Sequence, residues 1–155
     1  MGATSSPDVS GIKASVATVT NGVVSTTVVA VGHVDSLGEL ISKSRSVQKY
    51  TPINNTQNDE IVSLGPLSQA AFTMGVLYDP EATEGIITIE TAINTNAQIQ
   101  LIIELSNAKT TNGKGTTYKQ IVKCSDFKVP LPKDGKLVSN FTAERIGLAT
   151  IVAAS

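Results

Sequence analysis

The feature that most constrains this chain is a run of short segments in which β-branched or apolar residues alternate with polar ones. Such alternation is typical of β-strands that bury one face. The dipeptide Asn21-Gly22 separates two of these segments, residues 15–19 and 24–29. Because both residue types tolerate positive φ, Asn-Gly favours a two-residue type I′ turn. The sequence therefore predicts a β-hairpin at its N-terminal end.

Further strands are predicted wherever the alternation returns between turn signals. The predicted strands are residues 44–50, 60–64, 70–78, 98–105, 116–127 and 137–148. Residues 32–38 form a turn-rich passage, and the polar residues 52–59 form a loop. Asn112-Gly113 and Asp134-Gly135 mark two later turns. The pattern is typical of a sandwich or small barrel.

One helix is predicted near residues 80–93. Asp79 is a suitable N-cap and Pro80 suits the first turn. Apolar residues recur at helical spacing at Ile86, Ile89, Ala92 and Ile93. The β-branched residues in this stretch leave a strand as the competing interpretation. We predict an all-β fold of seven to eight mainly antiparallel strands with one flanking α-helix, in a single domain at residues 10–155 after a flexible arm at residues 1–9.

The composition argues against several classes of function. A net charge of −1 is unsuited to a general nucleic-acid binder, which needs a basic face. We expect no signal peptide and no membrane anchoring, because the first residues are small and polar and no apolar run approaches about 18 residues. Only 16% of the residues are charged. Neutral polar surfaces lose less free energy on burial between subunits than charged ones, although a threonine-rich solvent surface explains the same numbers.

Residues suited to catalysis or metal binding are scarce. The chain has one histidine, His33, and one cysteine, Cys124, whereas a metal site needs several such ligands to converge. The segment Gly113-Lys114-Gly115 resembles a phosphate loop, but its lysine does not directly precede Ser or Thr at the start of a helix. We therefore expect no cofactor, no metal and no enzymatic activity.

Charges are segregated along the chain. Between Tyr50 and Ala108 there are seven acidic residues and no Lys or Arg, and seven lysines follow between Lys109 and Lys136. This segregation suggests head-to-tail contacts between acidic and basic patches of neighbouring copies. An accidentally clustered, solvated surface is the alternative. The candidate contact residues are Glu81, Glu84, Glu90, Lys109, Lys114, Lys133 and Lys136.

Several short segments together resemble one known family. Residues 64–67 and 70–80 lead through Tyr78-Asp79-Pro80 into the predicted helix. Later come a strand with Tyr118, Val122 and Phe127, a Pro and Asp-Gly break at residues 130–135, and a closing strand that contains residues 145–147. In this order the segments resemble the tail tube proteins of long-tailed bacteriophages, siphophage type, whose fold is shared with type VI secretion tube proteins.

The resemblance implies a structural protein of the virion. Six subunits would close into a ring whose inner sheets join into one barrel, and the rings would stack into a tube. DNA would pass through the lumen without specific binding. Tape measure, terminator and distal tail proteins would be partners, and assembly would take place in the host cytoplasm.

The resemblance also implies a contact between rings, made by the loop after the early strands. That loop corresponds here to Tyr50, Thr51, Pro52, Ile53, Asn54, Asn55, Thr56, Gln57, Asn58 and Asp59. Other virion or secretion structures (a type VI tube, a tail terminator or a capsid decoration protein) remain alternatives. A ligand-binding or carbohydrate-binding β-barrel is another, but such sites usually expose aromatic residues, and this chain has no Trp.

Overall fold

The computed structural model describes residues 11–32, 34–51, 53, 60–79 and 85–155. Within them lie ten strands and one helix. The strands are β1 (Lys13–Thr20), β2 (Val23–Val24), β3 (Val29–Ala30), β4 (Val34–Leu37), β5 (Lys43–Tyr50), β6 (Ile61–Gln69), β7 (Phe72–Leu77), β8 (Gln98–Glu104), β9 (Thr117–Lys128) and β10 (Val138–Val152), and the helix is α1 (Gly85–Thr95). The predicted fold class, all-β with a helix, is confirmed.

The Asn-Gly hairpin forms as predicted. Asn21 and Gly22 have φ of 51° and 78°, as a type I′ turn requires, and Val19 pairs with Val24 across it. The returning strand breaks after two residues and resumes as β3, where Val29 pairs with Val16. The hairpin therefore covers one edge of β1 in two short pieces.

A single antiparallel sheet forms the body of the protein. Its strands follow the order β2-β1-β8-β9-β10-β7-β4, with β3 paired to β1. The register places Val16 opposite Leu101, and Leu101 opposite Gln120, on one face of the sheet. Because side chains alternate between faces, Ile99 and Ile103 of β8 and Val122 and Cys124 of β9 lie on that same face.

The core is built on this face. Its buried apolar side chains are Ala14, Val16, Val31, Phe72, Met74, Val76, Ile86, Ile89, Ala92, Ile99, Leu101, Ile103, Val122, Cys124, Phe141 and Ala143. Helix α1 contributes Ile86, Ile89 and Ala92 and contacts β1, β8 and β9. The predicted helical face is thus the buried one. The helix ends at Thr95, two residues later than expected, and its predicted start at Pro80 lies outside the described residues.

Strands β5 and β6 stand apart from the body. They pair with each other as a separate two-stranded sheet and with no strand of the main sheet. Every residue of β5 is exposed. The prediction that β6 ends near Leu64 was wrong, since the strand continues to Gln69. Pro66 is tolerated because it lies at a bulge, between the pairs Val47–Leu64 and Arg45–Leu67.

Two other predictions need correction. The turn-rich passage at residues 32–38 contains the edge strand β4, which pairs with β7 through an irregular register. Strand β10 continues four residues beyond the predicted end at Leu148, to Val152. In both cases the order comes from a neighbouring strand rather than from local preference, because β-structure depends strongly on its context.

Candidate assembly surfaces

The hairpin β5–β6 has two chemically different faces. Val47 pairs with Leu64, and Lys49 pairs with Val62, so these four side chains share one face. Val47 and Leu64 are 55% and 59% exposed. We name the charged and apolar residues of this side, Lys43, Arg45, Val47, Lys49, Val62, Leu64 and Leu67, the apolar–cationic face; Gln69 lies on the same side at its base. Exposed apolar side chains gathered on one face indicate a surface that a partner covers.

The opposite face of the hairpin is neutral and mostly polar. Gln48 pairs with Ser63, and Ser44 pairs with Ser68, whose hydroxyl oxygen lies 2.9 Å from that of Ser44. We name its polar part, Ser44, Ser46, Gln48, Ser63 and Ser68, the hydroxyl face; Tyr50 and Ile61 lie on the same side at the tip. Such a face suits contact with water, because hydroxyl and amide groups keep their hydrogen bonds to solvent there.

The predicted contact loop follows at the end of this hairpin. Tyr50 closes β5 opposite Ile61, and it is 56% exposed. Thr51 and Ile53 are also exposed. Pro52 and residues 54–59 lie outside the described residues. The described part of the loop therefore lies at the tip of the hairpin, at the opposite end of β5 and β6 from the base.

A second candidate surface is the free part of β10. Strand β7 pairs with β10 only from Val138 to Ala143, whereas β9 follows the other side of β10 as far as Val152. Beyond Ala143, no described strand occupies the side that faces away from β9. Ile146, Leu148, Ile151 and Val152 in this part are exposed. A strand edge with unpaired backbone groups and apolar neighbours is a template for pairing with another chain.

The base of the hairpin is fastened to this same part of β10. The Gln69 side-chain amide at the end of β6 donates to the Gly147 carbonyl oxygen over 2.6 Å. The Arg145 guanidinium donates to the carbonyl oxygens of Leu40 (2.9 Å) and Glu39, just before β5 begins. Gly147 has φ of 69°, and the register of β10 against β9 is irregular here, between Ile146 and Thr150. The segment of β10 from Arg145 to Gly147 thus forms hydrogen bonds with both ends of the hairpin.

The charged residues that the sequence grouped together are divided between the two ends of the sheet. Lys109 and Lys114 lie between β8 and β9, and Lys133 and Lys136 lie between β9 and β10. Strand β9 has 12 residues. At the usual rise of about 3.4 Å per residue, the two lysine pairs stand roughly 40 Å apart. Among the described residues, the lysines therefore form no single basic patch.

The predicted acidic partners are only partly described. Glu90 lies on α1 and accepts a hydrogen bond of 3.4 Å from the Tyr78 hydroxyl. Desolvation raises the pKa of Tyr78, and the charge and hydrogen bond of Glu90 add to the effect. Glu81 and Glu84 lie outside the described residues. Glu90 is therefore engaged within its own subunit.

The backbones of Lys109 and Lys114 form hydrogen bonds with Ser155. Ser155 accepts a hydrogen bond from the Lys109 amide over 2.9 Å and donates its own amide to the Lys114 carbonyl oxygen over 2.9 Å. The loop between β8 and β9 thus holds residue 155 against the end of the sheet. The phosphate-loop-like segment around Lys114 belongs to this loop and opens a strand, not a helix.

Residues suited to catalysis stay apart in the described part of the chain. No group of three or more His, Cys, Asp or Glu residues that could hold a metal ion occurs there. Cys124 is buried, and burial raises the pKa of its thiol to about 11, which makes it a poor nucleophile. His33 lies outside the described residues. No described helix has both the length and the apolar character needed to cross a bilayer.

Comparison with known proteins identifies the fold. No protein-family model matches the chain, and no curated protein matches it in sequence. Solved structures match along almost the whole chain. A chain from the baseplate of the anti-feeding prophage has a TM-score of 0.67 at 9% identity and covers 98% of this chain and 99% of its own. A chain from the sheath–tube complex of an extracellular contractile injection system has a TM-score of 0.67 at 15% identity, over 96% of this chain and 93% of its own.

The tail tube of SPP1 is also similar, with a TM-score of 0.59 at 13% identity, over 92% of this chain and 77% of its own. The chain therefore has the tail tube fold, as the sequence resemblance predicted. At these identities the likeness concerns the fold.

Sequence reasoning missed two features of the candidate surfaces. It identified the loop after Tyr50 but not the exposed hairpin that carries it, and it did not anticipate the free part of β10. The sequence did indicate that this strand is exposed, because residues 44–50 contain no apolar side chain before Val47. The free edge had none, since it depends on where β7 ends.

Proposed function

We propose that the chain is the tail tube subunit of a long-tailed bacteriophage, siphophage type. Copies would form hexameric rings, and the stacked rings would form the conduit that delivers the genome into the host. The protein would act as a structural component of the virion and not as an enzyme. Tape measure, terminator and distal tail proteins would be its partners, and the rings would assemble in the host cytoplasm.

The observation that carries this proposal is the exposed hairpin β5–β6. A two-stranded hairpin is at best marginally stable alone in water. Here it also holds Val47, Leu64 and Val62 in solvent on one face. Covering that face with a second copy removes apolar surface from water and packs the hairpin against further protein structure.

The free part of β10 supplies a matching surface. Strand addition to an exposed edge forms main-chain hydrogen bonds along the whole contact. The hairpin of one copy and the β10 edge of the next are different surfaces, so the contact is heterologous, and such contacts close into rings when the rotation permits. Closure would leave no free strand edge between subunits, which protects against uncontrolled pairing.

The two faces of the hairpin then take different roles. In a closed barrel the apolar–cationic face would pack against protein, and the hydroxyl face would line the channel. A lining of Ser and Gln carries no charge with which to hold DNA, so the nucleic acid would slide past it. Lys119 and Lys123 on the outer face of β9 are only partly buried, so that face carries positive charge.

Contact between rings is assigned to the tip of the hairpin, residues 50–59. Deleting Ile53 to Asn58 should leave the fold intact, because the described tip residues are exposed, while stacking is lost. Circular dichroism would report the fold, and negative-stain electron microscopy would report the tubes. Tubes of unchanged length from the deletion variant would contradict this assignment.

The proposal as a whole is tested by negative-stain electron microscopy of the purified protein beside its size-exclusion profile. Rings or hollow tubes with a central channel are the expected result. A protein that stays monomeric at high concentration, also when tail initiator proteins are supplied, would overturn the proposal.

A tail terminator is the second candidate. Chains from a sheath/tube terminator and from a tube-terminating cap match this fold with TM-scores of 0.64 and 0.67. A terminator would give single rings that bind tube ends without extending them. Tubes that lengthen with protein concentration would favour the tube subunit.

A further inference from the structure

The polar groups at the base of the hairpin continue into the protein interior. Gln120 is a buried polar residue on the core face of β9, with 8% of its surface exposed. Its side-chain amide donates to the carbonyl oxygens of Ile146 (2.9 Å), Gly147 (3.2 Å) and Ile121 (3.1 Å). The Gly147 carbonyl oxygen therefore accepts from Gln120 inside the protein and from Gln69 of the hairpin outside it. One carbonyl links the core to the hairpin.

Arg145 enters the same region from β10. Its register partner is Val122, so the side chain starts on the core face. The guanidinium carbon lies 5.6 Å from the centre of the Phe72 ring, and both terminal nitrogens donate to the segment that leads into β5. Desolvation lowers the pKa of Arg145, which the charge of Glu39 partly opposes. This arginine is partly buried, and its contacts with protein fix its orientation.

Two buried polar atoms in this region have no protein partner among the described residues. They are Gln120 Oε1, an acceptor, and Arg145 Nε, a donor. The Gln120 amide cannot be turned around to satisfy its oxygen, because its nitrogen faces three carbonyl oxygens. Buried polar groups in proteins are almost always paired, so these two atoms call for a common partner.

Both residues line the same small cavity. Its volume is about 20 Å³, and its lining includes Gln120, Arg145, Phe72 and Leu40. That is enough for one water molecule, which needs about 10–15 Å³ of such volume and at least two polar partners. The remaining walls are apolar except for Tyr118, so a small neutral molecule that both donates and accepts suits the site.

We propose that this cavity binds one water molecule, which accepts a hydrogen bond from Arg145 Nε and donates one to Gln120 Oε1, and that the completed junction fixes the direction in which the hairpin leaves the body. The junction comprises Gln69, Gln120, Arg145, Gly147 and this water. It is a property of the single subunit and holds whether or not the chain builds tubes. Arg145 and Gln120 act here as positioning residues.

The direction of the hairpin can be measured by pulsed electron–electron double resonance. Spin labels at Ser63→Cys on the hairpin and Gln98→Cys on the exposed end of β8 report it, in a background with Cys124→Ala. Adding Ile151→Lys, a charge on the free edge of β10, keeps the subunits separate. Dilution with unlabelled protein removes distances between copies.

Arg145→Met should broaden the distance distribution about twofold, because the segment before β5 loses its two donors and opens locally. Arg45→Met is the matched control. Arg45 also donates to a backbone carbonyl oxygen, that of Gly65 at 2.9 Å, but it does so within the hairpin. The control should leave the distribution as narrow as in the parent, and Arg145→Lys should restore part of the order. An equally narrow distribution in Arg145→Met with an unchanged circular dichroism spectrum would overturn the positioning role.

The water molecule has its own readout. In the parent protein, the Arg145 Nε–H resonance should show a cross-peak to a slowly exchanging water in nitrogen-15-edited NMR. Gln120→Leu fills part of the cavity and removes the acceptor, so the cross-peak should disappear. A parent protein without that cross-peak would overturn the hydration site. Neither readout requires assembly, so a failure here is distinct from a failure of the proposed function.

Discussion

The body of the sheet and the hairpin β5–β6 are both antiparallel β-structure, yet they differ in whether their apolar side chains are covered. In β8, Ile99, Leu101 and Ile103 recur at every second position and are buried against α1 and the neighbouring strands. In the hairpin Val47, Val62 and Leu64 also share a face, but nothing in the described chain covers it. The comparison teaches that the same alternation builds a core in one region and leaves an exposed apolar surface in the other.

The largest difference between the two regions should appear in stability. Phe141 is buried in the body, with 2% exposed, and Phe141→Ala should lower the free energy of unfolding by about 3–5 kcal/mol, through lost transfer energy and the cavity left behind. Tyr50→Ala in the hairpin should change it by less than about 0.5 kcal/mol. Urea unfolding of both variants measures this. Equal losses would show that the hairpin is part of the cooperative core.

The second effect should appear in assembly alone. Val47→Ser with Leu64→Ser removes the centre of the apolar–cationic face and should weaken the contact between copies by about 2–3 kcal/mol, since buried apolar residues dominate interface energetics. Sedimentation of assembled protein against concentration gives the shift in threshold. Gln48→Ala with Ser63→Ala changes the opposite face of the same hairpin and is the matched control. A similar shift in the control would show that the faces are not distinguished.

A third, smaller effect belongs to the body. The Cys124 thiol has its pKa raised by burial to about 11, against 9.0 for the free group. The folded protein therefore holds this proton more tightly than the unfolded chain does. The thiol contributes stability that is fully present below pH 9 and is lost as the pH rises towards 11. Between pH 8 and pH 10 the loss should be about 1 kcal/mol.

This loss is measured as the difference in pH dependence between the parent protein and Cys124→Ala, by urea unfolding. The variant removes the thiol, so groups that titrate elsewhere cancel in the comparison. Identical pH profiles would show that the thiol reaches solvent in the folded state. The hairpin carries no cysteine and should contribute nothing to this difference.

The smallest expected effect concerns the charges of the hairpin. Lys43, Arg45 and Lys49 share the apolar–cationic face, so an acidic partner surface would gain from them. Lys49→Gln should weaken assembly by about 0.5 kcal/mol at low salt and by less at high salt, because exposed pairs are screened. The assembly threshold at two salt concentrations measures this. An improved assembly of the variant would indicate that the partner surface is itself basic.

The parts of the fold that could be predicted from sequence are those whose order is local. The Asn21-Gly22 turn carries its own geometry, and the spacing of Ile86, Ile89 and Ala92 identifies the buried side of α1. Strand β4 could not be predicted in this way, because its residues are polar and turn-like and become a strand only beside β7.

The same distinction between local and long-range order applies to the candidate surfaces. The loop after Tyr50 is visible in the sequence as a polar interruption, whereas the sequence did not show that the candidate lysines divide into two separate pairs. Lysines that are close in sequence lie at opposite ends of β9, since successive connections of an antiparallel sheet alternate between its ends. The junction around Arg145 could not be predicted from the sequence, because its residues come from three separate strands, β6, β9 and β10.

The difference in sequence separation between the two regions has a consequence for the order in which they fold. Hairpins form within microseconds from neighbouring residues, so the pairing of β5 with β6 can begin early. The body must wait for distant partners, because β1 pairs with β8 and β7 pairs with β10, and such non-local pairing is slow. The contacts of Gln69 and Arg145 that hold the base of the hairpin come from this slower region. The hairpin therefore takes its final direction only after the body has formed.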